Sequence, residues 1–456
     1  MNEAAVWIYI LVAIGIVIWE VFRPRRRVID ALAFANLLFL LAYCATPAAM
    51  LLQWYDAEQL RLITSGSFGR AMTPWLVGIG FICLQVGWLL GQRYFANRYI
   101  LSLTSKGLAV RYSLLLLIVF ALSLFIFVSR FGGYRGALLM GDNLRYEVLE
   151  TDWRAAGSRF FPIVTVLLYY WVATYIICRK MASKRSNVAL FFIVVCGMLQ
   201  LVVIPLFSGR GYVVNVIIGV YLITAFLLKR TRWWLILMVA VPIYFTILYG
   251  KQLFYAAPAL VLGRTTDFTD AFQELSYSRL SESRLFMEPF FKECAHAPIS
   301  MEMALSMAGK EVPYTNFRDF LFGVTAFVPQ RVLSKLIDIP PSVSALNTQL
   351  IIDKLIASIP PGFLGHCIYA RGVYGLIIGC LCLGALGGGI NAVLEESLRR
   401  DYRWVVAAVL FGQLYGAFVI NGDPKVFIQS DLSVPIWLSL LIAPTLRVIN
   451  IQRRHR

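Results

Sequence analysis

Of the chain's 456 residues, 59% are hydrophobic and the mean hydropathy is +0.72. A soluble domain carries roughly 45–50% apolar residues, so a water-soluble globular protein is excluded and a polytopic membrane protein is expected. The net charge of +17 gathers in short connections between apolar runs, which marks membrane orientation and excludes a nucleic-acid partner.

The first apolar run, 4–22, has basic residues after it instead of before it and no small-residue cleavage site, so it reads as a retained helix. Runs of about twenty residues, the length that crosses a bilayer, follow at 29–53, 73–92, 108–129, 159–178, 187–207, 212–228 and 233–250. After a long polar stretch, three more lie at 364–393, 404–421 and 435–449. The expected fold is therefore an all-α polytopic membrane protein with about 11 transmembrane helices. Residues 1–250 hold helices one to eight with an outer loop at 130–158. Residues 251–363 form one large extracytoplasmic loop, and 364–456 hold the last three helices and a cytoplasmic tail.

Orientation follows from Lys and Arg in the connections. Basic groups at 23–27, 93–111, 179–185, 229–232, 399–403 and 447–456 fall at every second connection and in the tail. The acidic residues on that face are Glu20, Asp30, Glu395, Glu396 and Asp401, and the whole net charge of +17 belongs to it. The N-terminus is therefore expected outside and the C-terminus in the cytoplasm. In the large loop, Asp267–Lys292 and Ile299–Met307 look helical, and Asn316–Val332 is amphipathic enough to lie in the interface.

Cys380 and Cys382, like most of the eight cysteines, sit in apolar runs and read as core packing; no Cys/His spacing fits zinc. Arg210 stands in the Ser208-Gly209-Arg210-Gly211 turn between two apolar runs. An arginine near the membrane marks a functional site by default, and its guanidinium fork suits a phosphate; an arginine reaching the headgroups is the alternative. Arg331 and Lys335 share one face if their segment is helical, directed at headgroups or at a bound pyrophosphate. Arg145, near Arg130, Arg135 and Asp142 in the outer loop, supplies a further anion contact.

His366 stands at the expected outer mouth of the ninth span, with Tyr369 and Arg371 in the next turn and a half. Its ordinary pKa of about 6.5 suits a general base; a histidine bonded to loop backbone is the alternative. The glycines from Gly372 to Gly389 behind it are a helix-packing signal. Asp423, with Lys425, brackets a proline turn at the end of the tenth span, a substrate contact or a capped turn.

The order of these features is an SGRG turn, a long outer loop, the segment Phe327-Val328-Pro329-Gln330-Arg331, the stretch GFLGHCIYARGVYGLIIG, and Gly422-Asp423. Over about residues 200–430 this resembles the O-antigen polymerase family, the oligosaccharide repeat-unit polymerases, and more distantly the O-antigen ligases. The resemblance implies a GT-C-like glycosyltransferase that uses neither nucleotide sugar nor metal nor any other cofactor. Its substrate would be an oligosaccharide on undecaprenyl pyrophosphate, held beside membrane lipid, with a chain-length regulator protein as a further partner. It implies phosphate binding at Arg210 and Arg331. Many polymerases carry glutamate where this chain has His366, and ligases carry histidine, so a ligase stays open beside the polymerase. From another class, a lipid-linked oligosaccharide flippase or other transporter also needs many helices and buried cations. Trp153 and Tyr314 are candidate sugar-stacking surfaces.

Overall fold

The computed structural model describes residues 3–23, 30–52, 72–96, 98–103, 294–324, 342–352, 359–424 and 446–450, with shorter pieces within 118–138, 214–223 and 240–263 and at 54, 291 and 427–428. Five helices among the described residues are long and apolar enough to cross a membrane. They coincide with five expected spans, the first three and the ninth and tenth. The remaining spans lie wholly or largely outside the described residues.

The chain divides into two compact units. One comprises Met1–Ser102, Arg284–Arg400 and Phe411–Arg456, the other Leu103–Ser283 and Asp401–Leu410. In the second, Ala137 and Leu138 are buried against Leu124, Val128, Phe131 and Tyr134, and Asp401 caps a 3-10 turn by accepting from the Arg403 amide at 3.0 Å. The first unit holds Tyr314, His366, Tyr369, Arg371 and Asp423, and Arg135 lies in the second.

It begins with α1 (Glu3–Phe22) and α2 (Ala31–Leu40). Asp30 caps α2 by accepting from the Ala33 amide at 2.8 Å, and its carboxylate also receives both Nη groups of the buried Arg23. Arg23 therefore acts as a buried partner and is no free loop cation. Around it Glu20 accepts from Asn36 at 2.6 Å, Gln85 donates to Asn36 at 2.8 Å, and Trp19 donates to Gln85 at 2.7 Å. Polar groups on three apolar helices are satisfied by one another, as the hydrocarbon requires. After α2 the chain widens into a π turn, Leu41–Ala45, before α3 (Thr46–Leu51). Pro47 has no N–H for the regular ladder, and just before it the Thr46 amide and hydroxyl both donate to the Leu41 carbonyl, the hydroxyl at 2.7 Å.

Helix α4 (Met72–Phe95) lies beside α1 with Gly78 on Val12 and Gln85 on Trp19, a constant offset that makes the two parallel. Strand β1 (Tyr99–Leu103) follows. Helices α5 (His296–Met307), α6 (Arg318–Val324) and α7 (Val343–Ile352) come from the large loop. Then come α8 (Gly362–Arg400), α9 (Val405–Asn421) and strand β2 (Leu446–Asn450). β2 pairs with β1, so the expected eleventh helix, 435–449, is corrected at its end: residues 446–449 are extended and find their backbone partners in β1.

α8 is the second correction. The ninth span reads in sequence as one helix, but at Arg371 (φ −163°, ψ 38°) and Gly372 (φ 60°, ψ −143°) the chain reverses. The Cys367 side chain packs on Gly379, its carbonyl reaches Gly375, and Leu364 meets Gly80 beside Cys380. These are contacts between antiparallel arms. A short arm, 362–370, is folded back along a long arm, 373–400. The reversal strands carbonyls at the tip, and loop backbone satisfies two: the Thr315 amide donates to Tyr369 at 3.1 Å and the Asn316 amide to Ala370 at 3.0 Å.

The long arm runs parallel to α4, with Gly384 against the Leu84 carbonyl, Gly388 against the Trp88 carbonyl, and Gly87 and Gly91 against Leu381 and Ala385. Small residues four apart on both helices bring the two backbones together. The second half of α9 runs parallel to α2–α3, with Gly412 on Ala31, Gly416 on Phe34 and Leu38, and the Val419 carbonyl on the Tyr43 hydroxyl. Thus α1, α4 and the long arm point one way, and α2–α3 and the second half of α9 the other.

Part of the large loop is inside this bundle. Ala297, Met301, Ala304 and Ala308 belong to the same buried core as Tyr9, Tyr43, Leu84 and Leu364. The interfacial helix expected at Asn316–Val332 is likewise different where it is described. Asp319 on α6 is buried, and Asn316 and Phe317 before it carry positive φ of 50° and 58°, while 325–332 lie outside the described residues.

Candidate functional site

The site forms where two interrupted helices meet. The short arm of α8 begins at Gly362 (φ 67°) and α9 ends at Gly422 (φ 63°). A Cβ on Gly422 would collide with the Gly362 carbonyl group, so glycine is required for both the close approach and the left-handed backbone. Tyr43 ties the two ends: its hydroxyl donates to the Val419 carbonyl at 3.1 Å and accepts from the Leu364 amide at 3.3 Å.

His366 lies five residues before the reversal, about 7 Å along the arm at the usual helical rise. It is 0% exposed. Its Nδ1 is 3.1 Å from Oδ2 of Asp319, which is 5% exposed. The approach is off the hydrogen-bond line, and neither ring nitrogen of His366 nor either Asp319 oxygen makes a well-aligned bond to another described residue. The imidazole is packed by Phe317 and Phe320, with centroids 6.0 and 5.5 Å away, and Phe418 lies beyond Phe320 at 6.2 Å. Burial pushes the Asp319 carboxyl up from its ordinary value. The imidazole beside it and its own amide oppose that, and Asp423 adds to it.

Asp423, 2% exposed, accepts from the Ser344 amide at 3.0 Å and so caps α7 from outside the helix. His366 and Asp423 thus belong to one buried cluster, completed by Asp319. Tyr369 does not join them. It is buried in another direction, where its hydroxyl donates to Asn347 Oδ1 at 3.1 Å; Asn347 in turn donates to Ser300 at 2.8 Å and to the Ile359 carbonyl at 3.0 Å. Arg371 stands at the tip of the hairpin, exposed, its Nη1 3.3 Å from Asn316 Oδ1. Tyr314, half exposed, covers Gly309 and Gly372. Arg210, Arg331, Lys335, Arg145 and Trp153 lie outside the described residues. Among the described residues no group of three or more His, Cys, Asp or Glu side chains is arranged to hold a metal ion.

Asp319, Asn347 and Tyr43 were not singled out in sequence. Asp319 had a signal: with Arg318 it is a charged pair set among Phe317, Phe320, Leu321 and Phe322, and reading that segment as a surface helix hides it. Asn347 and Tyr43 sit in ordinary helical patterns and carry no such mark. Chemically, the cluster can hold or move a proton at His366, with one carboxylate beside Nδ1 and a second nearby. No family model matches the chain, and no curated protein or solved structure matches it.

Proposed function

We propose that the chain is a metal-independent membrane glycosyltransferase of GT-C type, polymerising lipid-linked oligosaccharide repeat units on the periplasmic side of the inner membrane. Glycosyl transfer is supported by the buried His366 beside Asp319 on the folded-back arm, and polymerisation by the order of the motifs, which resembles the repeat-unit polymerases. In the transfer, the oxygen of an acceptor sugar hydroxyl forms a bond to the anomeric carbon of the donor glycan. The bond from that carbon to undecaprenyl pyrophosphate breaks, and its electron pair leaves with the pyrophosphate. The hydroxyl proton passes to Nε2 of His366. Arg210 and Arg331 are assigned to the departing diphosphate, whose charge arginines can neutralise.

The deciding experiment is the glycan profile of a deletion strain complemented with wild type, Arg210→Ala or His366→Ala. Wild type should restore the ladder of chain lengths, and each variant should leave single repeat units on the final acceptor at normal protein level. An unchanged ladder in both variants removes the reading. Accumulated unattached polymer in the deletion strain makes the protein a ligase. A second reading, transport of the lipid-linked oligosaccharide, is favoured by the two interrupted helices meeting at buried ionisable groups, an arrangement carriers use; loss of externally displayed precursor in the deletion strain would establish it.

A further inference from the structure

The position of Asp319 relative to His366 is set from both sides. α6, which carries Asp319, is held at its start by the Thr315 and Asn316 amides on the hairpin tip. At its end Gly323 packs against Ile428 and the Pro424 carbonyl. The arm carrying His366 is bracketed by Leu364 on Tyr43 and by Tyr369 on Asn347. The 3.1 Å approach of Oδ2 to Nδ1, off the hydrogen-bond line, therefore lies between two clamped elements. Phe317 and Phe320, from the same short helix, pack the imidazole. Asp423 is the other acid in the cluster, but its Oδ2 is engaged by the Ser344 amide.

We infer that Asp319 is the positioning residue of His366, holding the imidazole with its proton on Nδ1 and its Nε2 lone pair free. The inference rests on the glycosyl-transfer reading for its kinetic arm alone. A carboxylate at Nδ1 selects that tautomer, orients the ring, and stabilises the imidazolium formed when Nε2 takes the hydroxyl proton, while itself staying ionised. The bland role for the same residue, a buried acid held for packing, makes no demand on the tautomer.

The test uses the full chain in lipid nanodiscs with nitrogen-15-labelled histidine. The chain has three histidines, His296, His366 and His455, and His366→Gln assigns the resonance by its loss. Wild type should show His366 as the neutral Nδ1–H tautomer. D319N should shift it towards the Nε2–H form, and D319E should keep it. Transfer assays on membranes supplied with undecaprenyl-pyrophosphate-linked repeat units should show kcat lowered about 10²-fold or more in D319N, KM little changed, and partial recovery in D319E. A wild-type Nε2–H tautomer, or an identical His366 pattern in D319N, overturns the inference, and the first of these can be read even if D319N does not fold. Wild-type protein that transfers nothing overturns the proposed function, while the tautomer still decides the role of Asp319.

Discussion

Asp319 and Arg23 are two charged residues buried in an apolar bundle, and their surroundings treat them differently. Arg23 has two carboxylates and is fully paired. Asp319 has one imidazole and a second acid nearby, so burial dominates and its carboxyl is raised. Between the ordinary aspartate value of about 3.9 and its raised folded value, the folded protein keeps a proton that the unfolded chain has lost. Stability from this group is therefore fully present below the ordinary value and is lost as pH rises through the folded one. Thermal unfolding in detergent from acid to neutral pH should show wild type losing stability relative to Asp319→Asn as pH rises; parallel curves would mean that the carboxyl is not raised.

At the scale of elements, glycine content separates two roles that look alike in sequence. Gly384 and Gly388 let the long arm of α8 touch α4 through backbone, whereas Gly372 permits a φ of 60° at which the helix reverses. Gly15 has nothing near it. Gly388→Leu should separate the two helices and abolish the folded protein. Gly372→Ala should cost about 1–3 kcal/mol through backbone strain, and Gly15→Ala should be neutral or slightly stabilising by helix propensity. Unfolding midpoints in detergent rank the three, and a tolerated Gly388→Leu would contradict the close backbone packing. The glycine run was legible in sequence as a packing stripe, because small residues at helical spacing have that meaning in lipid. The reversal within it was not legible. A hydropathy window sums over an apolar hairpin and an apolar straight helix alike.

For the whole molecule, the helix directions predict which ends share a compartment. The β1–β2 pairing and the 2.8 Å bond from the Leu101 amide to Ser397 place 98–103 with the end of α8. The hairpin tip, Arg371 with Asn316, lies at the other end of the long arm. Single cysteines at Arg98 and Arg399 in a cysteine-free background should react with an impermeant maleimide from one side, and those at Asn316 and Arg371 from the opposite side. Labelling of Arg371→Cys and Arg399→Cys from the same side would refute the bundle directions.

Sequence alone determined that this chain crosses a membrane as helices, and it located the five spans now described, because the cost of stranding backbone polar groups in lipid is written directly into run length and composition. It also marked His366 and Asp423, since ionisable residues at the ends of apolar runs stand out. Only the tertiary structure decided that a piece of the polar loop enters the bundle, that the ninth apolar run is a hairpin, and that Asp319 lies beside His366 while Tyr369 and Arg371 turn away. Those outcomes depend on contacts between residues far apart in the chain, Tyr43 with Leu364 and Val419, and Thr315 with Tyr369, and no local pattern of hydrophobicity or charge encodes which distant backbone group a given donor will meet.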